Sequence, residues 1–357
     1  MRRLPALGLA LAVLVGSPLA ALPTARAATS PTLAQLIGQK LMVRMDGTTP
    51  SASLLARIRR GEVGGVILFG ANVTTRSALI ALTAKLHAAA VAGGQPRLLI
   101  AVDQEGGSIK RIPWAPPTLS PPQMGLLGST TARTQGAATG TALKALGIDI
   151  DLAPVADVPF STTSILYRQG RTWSFSATTT EWLSYEFAHG LRIGGVIPAM
   201  KHFPGLGFAT ANTDTSVVTI RQRAADLAPG LLPYRLAISH DIPIVMLSNA
   251  TYTAWDPIHA AGWSSAIGSK LLRTQLGFTG VTMTDALDGT AAARGYTTAH
   301  LALRSAQAGT DMLLITGSEA TSASVYSSLL AAARAGQIPM TSLHASWTRI
   351  EALKAGG

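Results

Sequence analysis

Cysteine is absent from all 357 residues. That excludes a disulfide framework, a thiolate nucleophile, cysteine-ligated metal sites and lipid attachment through a thiol. Charge is also scarce: Lys, Arg, Asp and Glu make up 13% of the chain against 47% apolar residues. A composition so poor in charge suits a heavily buried fold and excludes a disordered chain. The charge leans positive, formally +11, but Lys and Arg are scattered with no run of four or more. A nucleic-acid partner is therefore not expected, and a weak pull toward anionic cell-envelope polymers is the better reading. The histidines show no metal-ligand spacing. Gly205-x-Gly207 lacks the third glycine of a dinucleotide loop, so no metal and no cofactor are expected.

Residues 1–27 read as an export leader. Arg2-Arg3 supply a positive end, a mostly apolar stretch from Leu4 to Leu22 follows, and Ala25-Arg26-Ala27 offers a small-x-small cleavage site. Cleavage is expected after Ala27, with an uncleaved anchor as the alternative because the stretch approaches spanning length. Removing Arg2, Arg3 and Arg26 takes the formal charge from +11 to +8. Residues 28–357 are expected to form one secreted or cell-envelope domain, with no stable membrane insertion after cleavage.

Eight apolar, β-rich segments punctuate the mature chain, at about 39–45, 63–69, 97–103, 148–158, 195–202, 243–248, 280–285 and 311–316. Near-continuous runs such as Leu98-Leu99-Ile100-Ala101-Val102 are what burial on both faces of a parallel sheet demands. Helical spacing follows in stretches such as 77–92 and 322–334. Eight strand–helix alternations without a low-complexity linker predict a single-domain α/β fold, a (β/α)8 barrel. A doubly wound sheet is the alternative.

Polar residues close several of these strands. The third ends in Asp103-Gln104-Glu105-Gly106-Gly107, the fourth in Asp157, the fifth in Lys201-His202 and the seventh in Asp285. Catalytic groups of a barrel come from the ends of several strands on one face, so these residues form the candidate site. The run Ile197-Pro198-Ala199-Met200-Lys201-His202-Phe203-Pro204-Gly205-Leu206-Gly207 is the most informative: an apolar strand gives way to a cation, an imidazole and a Pro/Gly loop. Asp285 has a structural alternative as cap of the following helix, for which Asp288 is the better candidate.

These words resemble the Lys-His-Phe-Pro-Gly signature of family-3 glycoside hydrolases, specifically the single-domain β-N-acetylglucosaminidases. The stretch Val102–Arg111 is similar to the family's Asp-Gln-Glu-Gly-Gly segment, and Gly277 to Leu287 to its nucleophile strand. The resemblance runs from about Leu36 to about Leu330. It implies sugar contacts by Asp103, Arg111, Lys201 and His202, and a nucleophile in Asp285. It also implies retaining hydrolysis of terminal β-linked sugars, with N-acetylglucosamine of cell-wall fragments as the leading substrate and peptidoglycan turnover as the setting. A glucosidase-type specificity is the alternative.

The sequence departs from that family at two places. Relatives carry an Asp-Ser-His triplet in the loop after the Lys-His strand, and its histidine is the acid/base. Here the triplet is Asn212-Thr213-Asp214. An aspartate has an unperturbed pKa of about 3.9, and lifting it to neutrality costs roughly 4 kcal/mol, which requires a desolvated loop. Three readings stay open: Asp214 replaces the histidine; another carboxylate, such as Glu105, acts instead; or the chain is a weakly active sugar-binding protein. Secondly, relatives place a substrate-binding arginine two residues before a phenylalanine, where this chain has Trp173. Either Arg171 reaches the same hydroxyls or Trp173 stacks on the sugar. Lys201 could also form a Schiff base, as in aldolases. Trp114 stands either at the pocket mouth or packed beneath its loop. Ser239-His240-Asp241 contains triad residue types, but three consecutive residues cannot form the relay and read as a helix end.

Overall fold

Each expected segment contains a strand, and in most of them alternate side chains enter two different apolar layers. The structure, a computed structural model, describes residues 30–356 together with Met1 and Leu4. The export leader and its cleavage site lie outside the described residues, those two positions apart. The barrel occupies the unit Thr32–Gly357. Its strands are β1 (Leu41–Arg44), β2 (Gly65–Leu68), β3 (Leu99–Val102), β4 (Ile150–Asp151), β5 (Ile197–Phe203), β6 (Ile244–Leu247), β7 (Val281–Thr284) and β8 (Leu313–Ile315). The hydrogen-bonded order is β7-β6-β5-β4-β3-β2-β1-β8, all parallel. A parallel bridge between Met283 and Met312 brings the two ends together. Thr284 N–H donates to the Met312 carbonyl at 3.0 Å and Met312 N–H to that of Thr282 at 2.9 Å. The expected barrel is therefore the observed fold, and the doubly wound alternative is excluded by that closure.

Strand β3 shows why these segments are apolar throughout. Leu99 and Ala101 point into the barrel with Met42, Ile67, Ile150 and Met283, while Ile100 and Val102 face the helices. A side-chain period of two places every second residue in each layer, and both layers are dry. Ile350 and Leu353 of the last helix, Met340–Ala355, join the interior layer and close it at one end. That leaves the opposite face, where the strand C-termini emerge, for chemistry.

Helix starts follow capping chemistry. Thr75 accepts from Ala78 N–H and opens the helix Arg76–Ala92; Ser318 accepts from Thr321 N–H and opens Glu319–Arg334, earlier than its apolar spacing indicates. Asp288 does not cap the helix Leu287–Ala293, contrary to expectation. It lies inside the first turn, and its carboxylate accepts from Thr298 Oγ1 at 3.0 Å and from Thr316 N–H at 2.5 Å, tying that turn to the end of β8. Ser239 ends the helix Leu232–Ser239, and Asp241 follows in a left-handed conformation at φ 54°. Among the described residues, no helix is long and apolar enough to cross a membrane.

Candidate active site

One pocket of about 380 Å³ lies at the C-terminal ends of the strands, and Asp103, Arg111, Arg171, Lys201, His202, Asp214 and Asp285 all line it. They come from the ends of three barrel strands, β3, β5 and β7, and from three loop segments. Lys201 and His202 are consecutive in β5, where the register with β6 slips between Met200 and Phe203, and both side chains face the pocket.

Directly after β3 the chain turns in a short antiparallel hairpin, Gln104–Gly106 with Ile109–Lys110. Gly106 and Gly107 make that turn with positive φ. The hairpin delivers Asp103, Glu105 and Arg111 to one side of the pocket. It is fixed from below by Asp151, whose Oδ1 accepts from Gln104 N–H at 2.9 Å. Burial pushes the Asp151 carboxyl up to about 8.

The charged groups alternate in sign. Arg111 stands 3.8 Å from Asp103; Lys201 Nζ is 2.6 Å from Asp103 Oδ1 and 2.7 Å from Glu105 Oε1; and Arg171 grips Glu105 with two bonds of 2.8 Å. Each buried cation thus has a carboxylate, which satisfies the requirement that charge away from water be paired. Burial alone would raise the Glu105 carboxyl, but Arg171 and Lys201 outweigh it and hold the group at about 2. With both oxygens taken by Arg171 and Lys201, the carboxylate is kept ionised, which disfavours Glu105 as the proton donor. Burial alone would likewise lower Lys201, and Asp103 and Glu105 reverse that, leaving the amine above its ordinary value. The structure therefore disfavours the imine reading of Lys201, because that reaction needs a free amine.

His202 is held by a residue that sequence reasoning noted at a strand end but gave no role. Asp157, wholly buried, accepts from His202 Nδ1 at 2.7 Å and from the backbone N–H groups of His202 at 3.2 Å and Leu206 at 2.6 Å. The imidazole and the start of the following loop thus share one anchor. An aspartate interrupting the apolar run 148–158 was the available signal; its partners were not legible.

Asp285 follows β7, and its Oδ1 accepts from Ala286 N–H at 2.8 Å. Asp214 comes from the loop after β5. Its N–H donates to Asn212 Oδ1 at 3.0 Å, which makes the triplet a local turn. Partial desolvation raises the Asp214 carboxyl to about 6, with the negative charge of Asp285 adding and His202 and Arg171 opposing.

Trp173 does not stack in the pocket. It is 6% exposed, donates through Nε1 to the Val155 carbonyl at 2.7 Å and packs on Phe187. A large apolar ring with one polar atom is best satisfied there; Arg171 lines the pocket instead. Trp114 is 40% exposed and is not among the lining residues. Among the described residues no group of His, Asp and Glu is placed to hold a metal ion.

The profile of the glycosyl hydrolase family 3 N-terminal domain matches residues 32–353. An uncharacterized secreted glycosyl hydrolase of Arthroderma benhamiae is 32% identical over 335 residues, spanning 90% of this chain and 93% of the relative. The beta-hexosaminidase of Bordetella parapertussis is 33% identical over 285 residues, 77% and 79% of the two chains. Among solved structures, the beta-N-acetylhexosaminidase of Beutenbergia cavernae superposes with a TM-score of 0.84 at 32% identity, covering 91% of this chain and 99% of that one. A family 3 beta-N-acetylglucosaminidase from a Paenibacillus superposes with a TM-score of 0.88 at 28% identity, and this chain, 92% covered, spans 63% of it.

Proposed function

The chain belongs to glycosyl hydrolase family 3, and we propose that it removes terminal β-linked N-acetylglucosamine from cell-wall fragments by a retaining mechanism. The observation that carries this reading is the shared pocket of Asp285 and Asp214 beneath a rim of hydroxyl-gripping side chains.

Asp285 attacks the anomeric carbon as the bond to the leaving oxygen breaks, and Asp214 gives that oxygen its proton. The glycosyl-enzyme ester is then opened by water, whose proton returns to Asp214. The sugar carries the reducing centre away with its configuration retained. Asp103, Arg111, Arg171, Lys201 and His202 hold the ring hydroxyls. Asp157 and Glu105 keep those side chains in place and supply no proton. A substituted acid/base is favoured over a passive loop residue because the Asp214 carboxyl, at about 6, is still protonated in mildly acidic surroundings.

The same reading places the mature protein outside the cytoplasm, as residues 28–357, with residues 1–27 removed. A carbohydrate is its partner. A fluorinated N-acetylglucosaminide that traps the ester tests the reading: mass spectrometry is expected to find the label on the Asp285 peptide. A label on another carboxylate, or hydrolysis of the corresponding glucoside in preference, would overturn the assignment of nucleophile or of sugar.

A further inference from the structure

A second concavity, of about 270 Å³, lies beside the pocket and is lined by Phe160, Phe175, Phe208, Pro204 and Asp226. We propose that it is a second sugar subsite, which seats a pyranose ring of the leaving chain when an oligosaccharide fills the pocket. The proposal rests on the glycosidase reading above.

The groove presents unusual aromatic surface to solvent. Phe160 is 69% exposed and Phe175 49%. Phe160 lies on Phe208 with ring centroids 4.3 Å apart and planes 25° from parallel. Single exposed apolar residues need no explanation, but contiguous aromatic surface beside a polar cleft marks a binding site.

Backbone fixes this platform. Phe160 N–H donates to the Gly207 carbonyl at 3.2 Å, and a Cβ on Gly207 would overlap the Val158 carbonyl oxygen, so only glycine allows the two loops to meet. Ile165 N–H donates to the Ala209 carbonyl at 2.8 Å, which ties the same loops together further along.

The rim is polar. Asp226 lines the groove, and its carboxylate is held by Arg223 through two bonds of 3.0 Å. An aromatic base with an ionic edge matches a pyranose, which offers a C–H face and a belt of hydroxyls.

Two stretches of chain contribute to both cavities. In one, Leu206 faces the pocket while Gly205, Gly207 and Phe208 face the groove; in the other, Gln169 and Arg171 serve the pocket while Phe160 and Phe175 serve the groove. The groove therefore adjoins the pocket along both stretches, within reach of a glycan that extends out of it.

The test compares the wild type with Phe160→Ala/Phe175→Ala on β-1,4-linked N-acetylglucosamine oligomers from dimer to pentamer. N-acetylglucosaminyl fluoride, whose leaving group is too small to reach the groove, is the control. In the wild type kcat/KM is expected to rise with chain length. The variant should lose about tenfold on the tetramer, the scale of one good stacking contact, and nothing on the fluoride. A wild type indifferent to length, or equal losses on both substrates, overturns the subsite. So does sedimentation showing a dimer that the substitutions dissociate, which assigns the groove to a second copy. If the wild type cleaves no glycoside, the glycosidase reading falls by itself. The groove is then judged by calorimetric binding of the tetramer, where equal affinity for wild type and variant overturns it.

Discussion

Gly289 and Asp214 touch through backbone: a Cβ at position 289 would overlap the Asp214 carbonyl oxygen. The helix Leu287–Ala293, which starts just beyond Asp285, thus props the loop that carries the proposed acid. Gly289→Ala is expected to push that loop outward and leave Asp285 in place. General acid catalysis is worth about 10²–10⁴-fold, so kcat/KM on sugar leaving groups should fall within that span. Dinitrophenyl glycosides, whose departing oxygen needs no proton, should react at close to the wild-type rate. Equal losses on both would put the damage at the nucleophile instead.

Asp214 also sets a pH expectation. Its carboxyl is raised from 3.8 to about 6, so the native protein keeps this proton across that window. With Asp214 as the acid, kcat/KM should fall about tenfold per pH unit above about 6, and Asp214→Asn should remove that limb. The stability contribution has the sign of a raised acid: it is fully present below 3.8 and is lost as pH climbs through about 6. A pH–rate profile whose alkaline limb is unchanged in Asp214→Asn would dismiss the assignment.

Burial on both faces is what made the strands legible, because it writes near-continuous apolar runs such as that of β3. The candidate residues were legible because several such runs end in charge, and the ends of barrel strands share one face. What could not be read was pairing. Nothing near Asp157 in sequence announces that it holds His202 and Leu206 together, and nothing near Gly289 announces Asp214. Trp173 was ambiguous because a tryptophan serves equally as sugar platform or core, and only the Val155 carbonyl decides between them. Asp288 has the composition of a cap, but Thr316 and Thr298, reached only through the fold, claim its carboxylate.

Asp157→Ala is expected to impair binding and stability together. It leaves the ring of His202 and two backbone N–H groups without their buried acceptor, each such loss being worth about 1–3 kcal/mol. Thermal unfolding should move down. Among molecules still folded, KM should rise more than kcat falls, since the role proposed for His202 is to grip a hydroxyl and not to transfer the proton. A kcat effect alone would instead place His202 in the chemistry.

Glu105 offers a control for the proton assignments. It binds Lys201 and Arg171 and is held at about 2, well below its unfolded value of 4.5. Its pairing therefore adds stability above pH 4.5 that is lost as pH falls toward 2. Removing one partner of a buried ion pair costs about 3–5 kcal/mol, because the other charge stays buried. Glu105→Gln should be destabilised by that order at pH 7, and urea titrations of the two proteins should converge as pH drops below 4.5. Activity should fall through misplacement of Lys201 and Arg171, so azide, which stands in for a missing acid/base by attacking the glycosyl-enzyme, should restore nothing. In Asp214→Ala azide should restore turnover of dinitrophenyl glycosides and yield the glycosyl azide. Rescue in the Glu105 variant, with none in the Asp214 variant, would exchange the two roles.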